Sequence, residues 1–455
     1  MSDSVAIPVP SQAPPRAKAA QNVFWLVAER TVKAVGGVGM GVLIARHLGP
    51  DQYGRYGAAI GLSTLAKDAV MLGFDRMIRR DIAARPEKAG KILGTSIALG
   101  LALAFVAALG LTALAGQMVD DAETLRLTLI VLWMALPQAF FSCEIWFESS
   151  GQTRPLVWTR NAVWTTALIC RLILIFANAG VLAFAIMALV EWVATYAAVF
   201  LLLRQLHGRE LSYAFDLAQL TAWFREGWPF VLMVIMASSA DRTMVLAVHN
   251  FAATDAEAGY LNAALRITAV WWAISTIVAA VLLPRIVAMQ KSDPSRYARA
   301  AQSYANASLL VGIGAALAVS ATAPFVIPWL FGAAYTPSAR VLVILFWAGP
   351  VIYPAVARSQ FFVSRGKAIL DLPTVACTAA LQITLAANLV PRYGAMGAAV
   401  SITSAQWLGF YGMTLLLPRL RRASRAQFIA FSALRAPVET FRNLSSFVGG
   451  MVRRS

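Results

Sequence analysis

Charged residues are scarce in this sequence. Asp, Glu, Lys and Arg make up 13% of its 455 residues, whereas soluble domains average about 25%. Hydrophobic residues make up 59%, and the mean hydropathy is +0.66. This composition excludes an ordinary soluble globular protein and predicts an all-α polytopic membrane protein.

Cysteine and histidine are also scarce. The three cysteines, Cys143, Cys170 and Cys377, lie in separate apolar segments without a CxxC pair, and the three histidines do not cluster. We therefore expect neither a disulfide nor a metal site. The sequence contains no Walker A, GxSxG, HExxH or acidic metal motif, and its predicted external loops are short. These absences predict a protein that is not an enzyme and needs no cofactor.

Long apolar segments are abundant. About 20 apolar residues are needed to cross roughly 30 Å of hydrocarbon as a helix. Twelve segments of this kind are predicted, at residues 22–44, 53–74, 92–116, 125–148, 156–178, 181–203, 223–248, 258–284, 300–330, 338–360, 368–390 and 396–418.

Positive charge alternates between the connections of these twelve segments. Of the 39 Lys and Arg residues, 28, including Arg160 and Arg358, are assigned to connections on one side, five to the other side and six to the spans. The positive-inside rule then predicts a multi-pass membrane protein with both termini in the cytoplasm. The net charge of +17 is thus a topology signal, and we expect no nucleic-acid partner.

The longest polar connection divides the predicted spans into two groups of six. The expected organisation is a disordered tail (1–21), an N-lobe (22–204), a linker (205–222), a C-lobe (223–418) and a basic tail (419–455). That last tail is predicted either to form amphipathic helices on the inner leaflet or to be mobile. Weak echoes such as Glu29-Arg30-Thr31 and Asp241-Arg242-Thr243 suggest that the lobes are related by a parallel repeat.

Six cations fall within the predicted spans. Charges at bilayer depth are costly and commonly mark a substrate path, although they also form structural ion pairs between helices. Because Arg binds phosphate groups through paired donors, an anionic head group is the expected substrate element. The candidate path consists of Arg30, Lys33, Lys67, Arg171, Arg242 and Arg266; those hardest to pair within their own helices are Arg30, Arg171, Arg242 and Arg266.

Acids at similar depth are candidates for ion coupling, namely Glu29, Asp68, Glu144 and Asp241. Glu29 and Lys33 are spaced i,i+4 and can pair along one helix face. The first span also contains four glycines, Gly36, Gly37, Gly39 and Gly41, which predict either close helix packing or a hinge.

Seven stretches carry a family resemblance. They are IARHLGPDQYGRYGAA (44–59), LGF (72–74), ADRTMVL (240–246), AGYLNAALRI (258–267), LLPRI (282–286), LFGAAYTPSARVLVIL (330–345) and NLVPRYGAMGAAVS (388–401). In this order they resemble the Wzx-type, lipid-linked oligosaccharide flippase branch of the multidrug/oligosaccharidyl-lipid/polysaccharide exporter superfamily. The resemblance implies two six-helix lobes around a central cavity, with Arg30 and Arg242 on spans that line it.

The resemblance also implies a function. The expected activity is transfer of undecaprenyl-pyrophosphate-linked oligosaccharide from the inner to the outer leaflet of the bacterial cytoplasmic (inner) membrane, for O-antigen (lipopolysaccharide) or exopolysaccharide synthesis. The expected partners are this substrate, membrane lipids, and a polysaccharide polymerase with its chain-length machinery. The alternatives are an H⁺- or Na⁺-coupled multidrug exporter, a membrane enzyme of polysaccharide assembly, and a non-transporting scaffold of such an assembly.

Overall fold

The computed structural model describes residues 16–71, 74–118, 121–208, 211–227, 244–364, 368–418 and 420. Within these ranges the chain forms helices joined by short turns, and no strand occurs there. Contacts divide the chain into two compact units, Met1–Leu246 (unit 1) and Ala247–Ser455 (unit 2). The unit boundary thus falls later in the chain than the predicted linker at 205–222.

The helices follow the predicted spans. Up to the unit boundary they are α1 (Arg16–Met71), α2 (Asp75–Ala84), α3 (Ala89–Met118), α4 (Ala122–Leu132), α5 (Ala135–Gln138), α6 (Phe141–Ser149), α7 (Thr153–Phe176), α8 (Val181–His207) and α9 (217–227). Helix α10 (Met244–Phe251) runs across the boundary. Unit 2 continues with α11 (Asp255–Ser292), α12 (Pro294–Phe331), α13 (Ser338–Phe346), α14 (Gly349–Ser364), α15 (Leu372–Trp407) and α16 (Met413–Leu416).

Two long helices each contain a sharp break. Helix α1 leaves helical geometry at Gly49, with φ 73° and ψ 170°, just before Pro50. Helix α15 does so at Gly394, with φ 53° and ψ −129°, shortly after Pro391. Glycine adopts positive φ without a Cβ clash, and proline removes a helical hydrogen bond. Each long helix therefore holds two of the predicted spans.

Among the described residues, eight helices are long and apolar enough to cross a membrane, or nine when the bent pair Ser338–Phe346 and Gly349–Ser359 counts as one span. With the breaks in α1 and α15, these helices account for every predicted span except the seventh. That span, 223–248, falls largely on 228–243, outside the described residues. The structure is that of an all-α polytopic membrane protein, as the composition predicts.

The core of unit 1 lies where α2, α3, α6, α8 and α9 meet. Helix α2 is amphipathic, with Met77, Ile78 and Ile82 buried at helical spacing. These side chains pack in one cluster with Phe147 and the fully buried Trp223. Helix α9, which begins within the predicted linker, thus contributes a core residue to unit 1.

Polar contacts fix the linker and α9 in this position. Asp81 is buried, and its carboxylate accepts hydrogen bonds from Trp223 Nε1 at 2.8 Å and Gln219 Nε2 at 2.6 Å. The amide of Asp216 donates to Thr95 Oγ1 at 2.9 Å. A Cβ at Gly94 would lie 2.6 Å from the carbonyl oxygen of Ala214, so the close approach of the linker backbone requires glycine.

Unit 2 buries an arginine of its own. Arg358 Nη2 lies 2.7 Å from Asp371 Oδ1, and Arg358 Nη1 donates to Thr414 Oγ1 at 2.8 Å. The guanidinium carbon is also 4.8 Å from the centroid of the Phe410 ring. Our sequence count assigned Arg358 to a cytoplasmic connection, whereas the structure places it inside the helical core with one carboxylate partner.

Candidate functional site

Four charged side chains from three helices meet inside unit 1. Glu29 and Lys33 lie on successive turns of α1, Glu144 lies on α6, and Arg160 lies on α7. We call these four residues the buried charge cluster. Glu29 and Lys33 are neighbours on α1, whereas Glu144 and Arg160 come from segments much later in the sequence, so the packing of α1 with α6 and α7 brings the two pairs together.

Arg160 is the centre of the cluster. Its Nε atom lies 3.2 Å from Glu29 Oε1, and its Nη1 atom donates to Glu144 Oε2 at 2.8 Å. Lys33 Nζ donates to the same oxygen of Glu29 at 2.7 Å. Two carboxylates are therefore joined by one guanidinium, and the i,i+4 pair predicted for Glu29 and Lys33 forms.

The cluster is electrically balanced but unevenly buried. The Glu29 and Glu144 side chains are 1% and 6% exposed, whereas those of Lys33 and Arg160 are 23% and 21% exposed. Removing one partner from a buried pair leaves an uncompensated charge, which costs several kcal/mol. Conversely, a proton or small cation taken up by one carboxylate releases a cation for another anion. This arrangement can exchange charged partners.

Polar and aromatic side chains of α8 lie beside these helices. Tyr196 donates a hydrogen bond to Gln138 Oε1 at 3.0 Å, and its ring lies 5.7 Å from that of Trp192. The ammonium of Lys67 is 4.1 Å from the centroid of the Trp192 ring, which is a cation–π distance. One of the predicted path cations is thus held over an aromatic face.

The other predicted path residues have different surroundings. Arg171 forms an ion pair with Glu191 of α8. Arg266 lies partly buried on α11 in unit 2, and Asp68 lies partly buried on α1. The side chain of Arg30, and the whole of Asp241 and Arg242, fall outside the described residues. The structure thus assembles Glu29, Lys33 and Glu144 into one cluster, while the path as a whole stays a prediction.

The glycines of the first span lie in continuous helix. Residues 36–41 are helical, and the break in α1 comes later, at Gly49. A Cβ at Gly36 would lie 2.5 Å from the Trp164 indole, so this glycine permits close packing against α7. Around Gly37 and Gly39 a Cβ would meet nothing within 4 Å. A hinge at Gly36, Gly37, Gly39 and Gly41 stays a prediction.

A family profile described as "Polysaccharide biosynthesis protein" matches residues 43–340. This match covers more than half of the chain, including all of α2 to α12. The chain belongs to this polysaccharide biosynthesis protein family. The predicted membership in the polysaccharide exporter superfamily is confirmed.

Solved structures of that superfamily share the fold of this polysaccharide biosynthesis protein. The lipid II flippase MurJ, in an inward closed conformation, aligns with a TM-score of 0.68 at 13% identity, covering 94% of this chain and 96% of that one. An inward-facing MATE multidrug transporter aligns with a TM-score of 0.63 at 16% identity, covering 88% and 99%. The eukaryotic MATE transporter AtDTX14 gives 0.60 at 14%, covering 91% and 99%. No curated protein sequence matches at a significant level.

Sequence reasoning missed the central residue of the cluster in this family member. Arg160 was counted with the cytoplasmic connection before the fifth span, although it lies inside the predicted span 156–178. A cation one turn within an apolar segment was the signal that could have identified it. Within the described ranges, no group of three His, Cys, Asp or Glu side chains is placed to hold a metal ion.

Proposed function

We propose that this protein is a flippase that moves undecaprenyl-pyrophosphate-linked oligosaccharide from the inner to the outer leaflet of the bacterial cytoplasmic membrane. The observation that carries the proposal is the polysaccharide biosynthesis family match over residues 43–340. The likeness to a lipid II flippase over 94% of the chain supports it, because that fold accommodates a lipid-linked glycan. The product would serve O-antigen or exopolysaccharide synthesis, with a polymerase and chain-length machinery downstream.

The buried charge cluster gives the proposal a chemical step. Glu29 and Glu144 neutralise Lys33 and Arg160 within the cluster. A pyrophosphate offers the same kind of anionic oxygen, and Arg binds it through paired donors. When one carboxylate takes up a proton or Na⁺, a cation is released toward the head group. Alternating access then couples partner exchange to movement of the substrate.

The head-group path completes this mechanism. It comprises the cations predicted from the sequence: Arg30, Lys33, Lys67, Arg171, Arg242 and Arg266. To these we add Arg160, because it bridges two carboxylates in unit 1. Arg30→Ala and Arg242→Ala should each abolish surface glycan while the protein stays in the membrane. Normal surface glycan in both variants would contradict the path.

A reconstitution assay tests the substrate class. Purified protein is placed in liposomes with a fluorescent lipid-linked oligosaccharide, and the fraction accessible to an added glycan-modifying enzyme is followed with time. We expect faster transbilayer movement than in protein-free liposomes. No excess movement would contradict the proposal.

The second candidate is a cation-coupled multidrug exporter. The fold similarity to MATE transporters favours it. The same liposomes, loaded with a fluorescent cationic drug under a pH or Na⁺ gradient, separate the two functions. Drug efflux without glycolipid movement would select the exporter.

A further inference from the structure

A second feature of unit 1 lies away from the buried charge cluster. A cavity of about 480 Å³ opens between α3, α8 and the linker. This volume is in the range of ligand pockets, roughly 300–1,000 Å³. None of the four residues of the buried charge cluster lines it. The cavity is therefore a separate candidate site.

The walls of the cavity are mainly apolar. Helix α3 contributes Ile97 and Leu101, while Phe140 and Phe200 stack edge to face at 5.1 Å on the opposite side. Phe215 of the linker lines the mouth and is exposed. A hydrocarbon chain is the chemical group that such walls accommodate.

The cavity lies on helices that face the membrane. Both α3 and α8 are candidate spans, and most residues of their apolar stretches are not buried by other parts of the protein. Their exposed residues include Leu101 and Leu201. An occupant would therefore enter sideways from the lipid phase.

Polar groups sit at the linker end of the cavity. Arg204, in the last turn of α8, lines it together with Tyr213 of the linker. Burial raises the pKa of the Tyr213 phenol, while the nearby Arg204 charge acts in the opposite direction. The phenol remains a hydrogen-bond donor at neutral pH beside a permanent positive charge. A phosphate group is complementary to this pair.

The apolar walls and the positive charge of the cavity together select one kind of occupant. Apolar walls with one basic end match a molecule that has a hydrocarbon chain and an anionic head. Anionic membrane lipids have this form, and basic residues near the membrane surface attract them. We propose that this cavity binds one anionic glycerophospholipid, with its phosphate at Arg204 and Tyr213 and part of an acyl chain between α3 and α8.

A bound lipid would also hold the linker. Leu211, Tyr213 and Phe215 belong to the linker and form one wall of the cavity. On the other side the linker is fastened through Asp216 to Thr95 and through α9 to Asp81. The lipid thus stabilises the docked linker and is not consumed by transport.

The test uses native mass spectrometry of the delipidated full chain in detergent. Phosphatidylglycerol and phosphatidylcholine with the same oleoyl chains are titrated separately. We expect one tight phosphatidylglycerol per chain and weaker phosphatidylcholine binding. Arg204→Gln should weaken phosphatidylglycerol at least fivefold, which corresponds to about 1 kcal/mol.

Two further variants keep the test decisive. Ala98→Phe places a ring in the cavity from an exposed position of α3 and should weaken both lipids without touching the core. Arg154→Gln removes another exposed arginine of unit 1 that does not line the cavity, and it should bind like the native chain. Equal binding of the two lipids, unchanged binding in Arg204→Gln or Ala98→Phe, or equal loss in Arg154→Gln would overturn the proposal.

Discussion

Each unit buries an arginine against carboxylates, but the two sites are built differently. In unit 2, Arg358 and Asp371 form a one-to-one pair in which both side chains are 2% exposed. In unit 1, Arg160 is 21% exposed and lies between two carboxylates, one of which is shared with Lys33. The first site is closed and has a single carboxylate partner, whereas the second offers alternative partners within reach. We infer that burial of an ion pair does not by itself mark a transport site.

The largest stability effect is expected at the closed pair. Arg358→Met leaves Asp371 buried without its cation and should cost about 3–5 kcal/mol. Thermal unfolding in detergent measures the change. Arg358→Met combined with Asp371→Leu should recover most of the loss, because both charges are then removed. If Arg358→Met alone were as stable as the native chain, the distinction between the two arginine sites would be lost.

Arg160→Met should destabilise the protein less than Arg358→Met but should reduce transport more. Glu29 keeps Lys33, and Glu144 can take up a proton, so we expect a loss of about 1–3 kcal/mol. Transport of the lipid-linked oligosaccharide should fall at least tenfold, because the bridge between the carboxylates is gone. A loss of stability equal to that of Arg358→Met, with normal transport, would mean that Arg160 is only structural.

Asp81 tests whether a buried carboxylate outside the buried charge cluster also contributes to the pH dependence of transport. It is as enclosed as Asp371, and its oxygens are occupied by Trp223, Gln219, Arg80 and Arg85. Asp81→Asn should cost about 1–2 kcal/mol through poorer hydrogen bonding to the linker. Its transport should keep the pH dependence of the native chain. A changed pH profile would place Asp81 among the coupling groups.

The smallest stability change is expected for Glu144→Gln. The amide keeps the shape and can still accept from Arg160, so the loss should be below about 1 kcal/mol. Its consequence should appear in coupling, because the side chain no longer exchanges a proton. We expect transport that responds less to a pH gradient than that of the native chain. An unchanged gradient response would exclude Glu144 as a coupling group.

Much of the fold was predictable from the sequence because spans carry a strong signal. Apolar length predicted the helices, and the breaks at Gly49 and Gly394 fall in the gaps between predicted spans. The docking of the linker was not predictable. It depends on the side chains of Trp223 and Gln219 reaching Asp81 across more than 130 residues, and a polar connection in sequence gives no such information.

The site was predictable only in part. The spacing of Glu29 and Lys33 predicts their pair, because both lie on one helix. The pairing of Arg160 with Glu144, and of Arg171 with Glu191, depends on which helices pack together. Charge counting therefore identified the acids of the cluster but assigned its arginine to a connection.

One comparison of two arginines on the same helix tests the central claim most directly. Arg154 is exposed in the first turn of α7, and Arg160 lies in the cluster two turns later. In liposomes containing equal amounts of folded protein, the rate of transbilayer movement of a labelled lipid-linked oligosaccharide is measured for Arg154→Met and Arg160→Met. We predict native-like movement for Arg154→Met and movement near that of protein-free liposomes for Arg160→Met. Equal rates in the two variants would contradict the account.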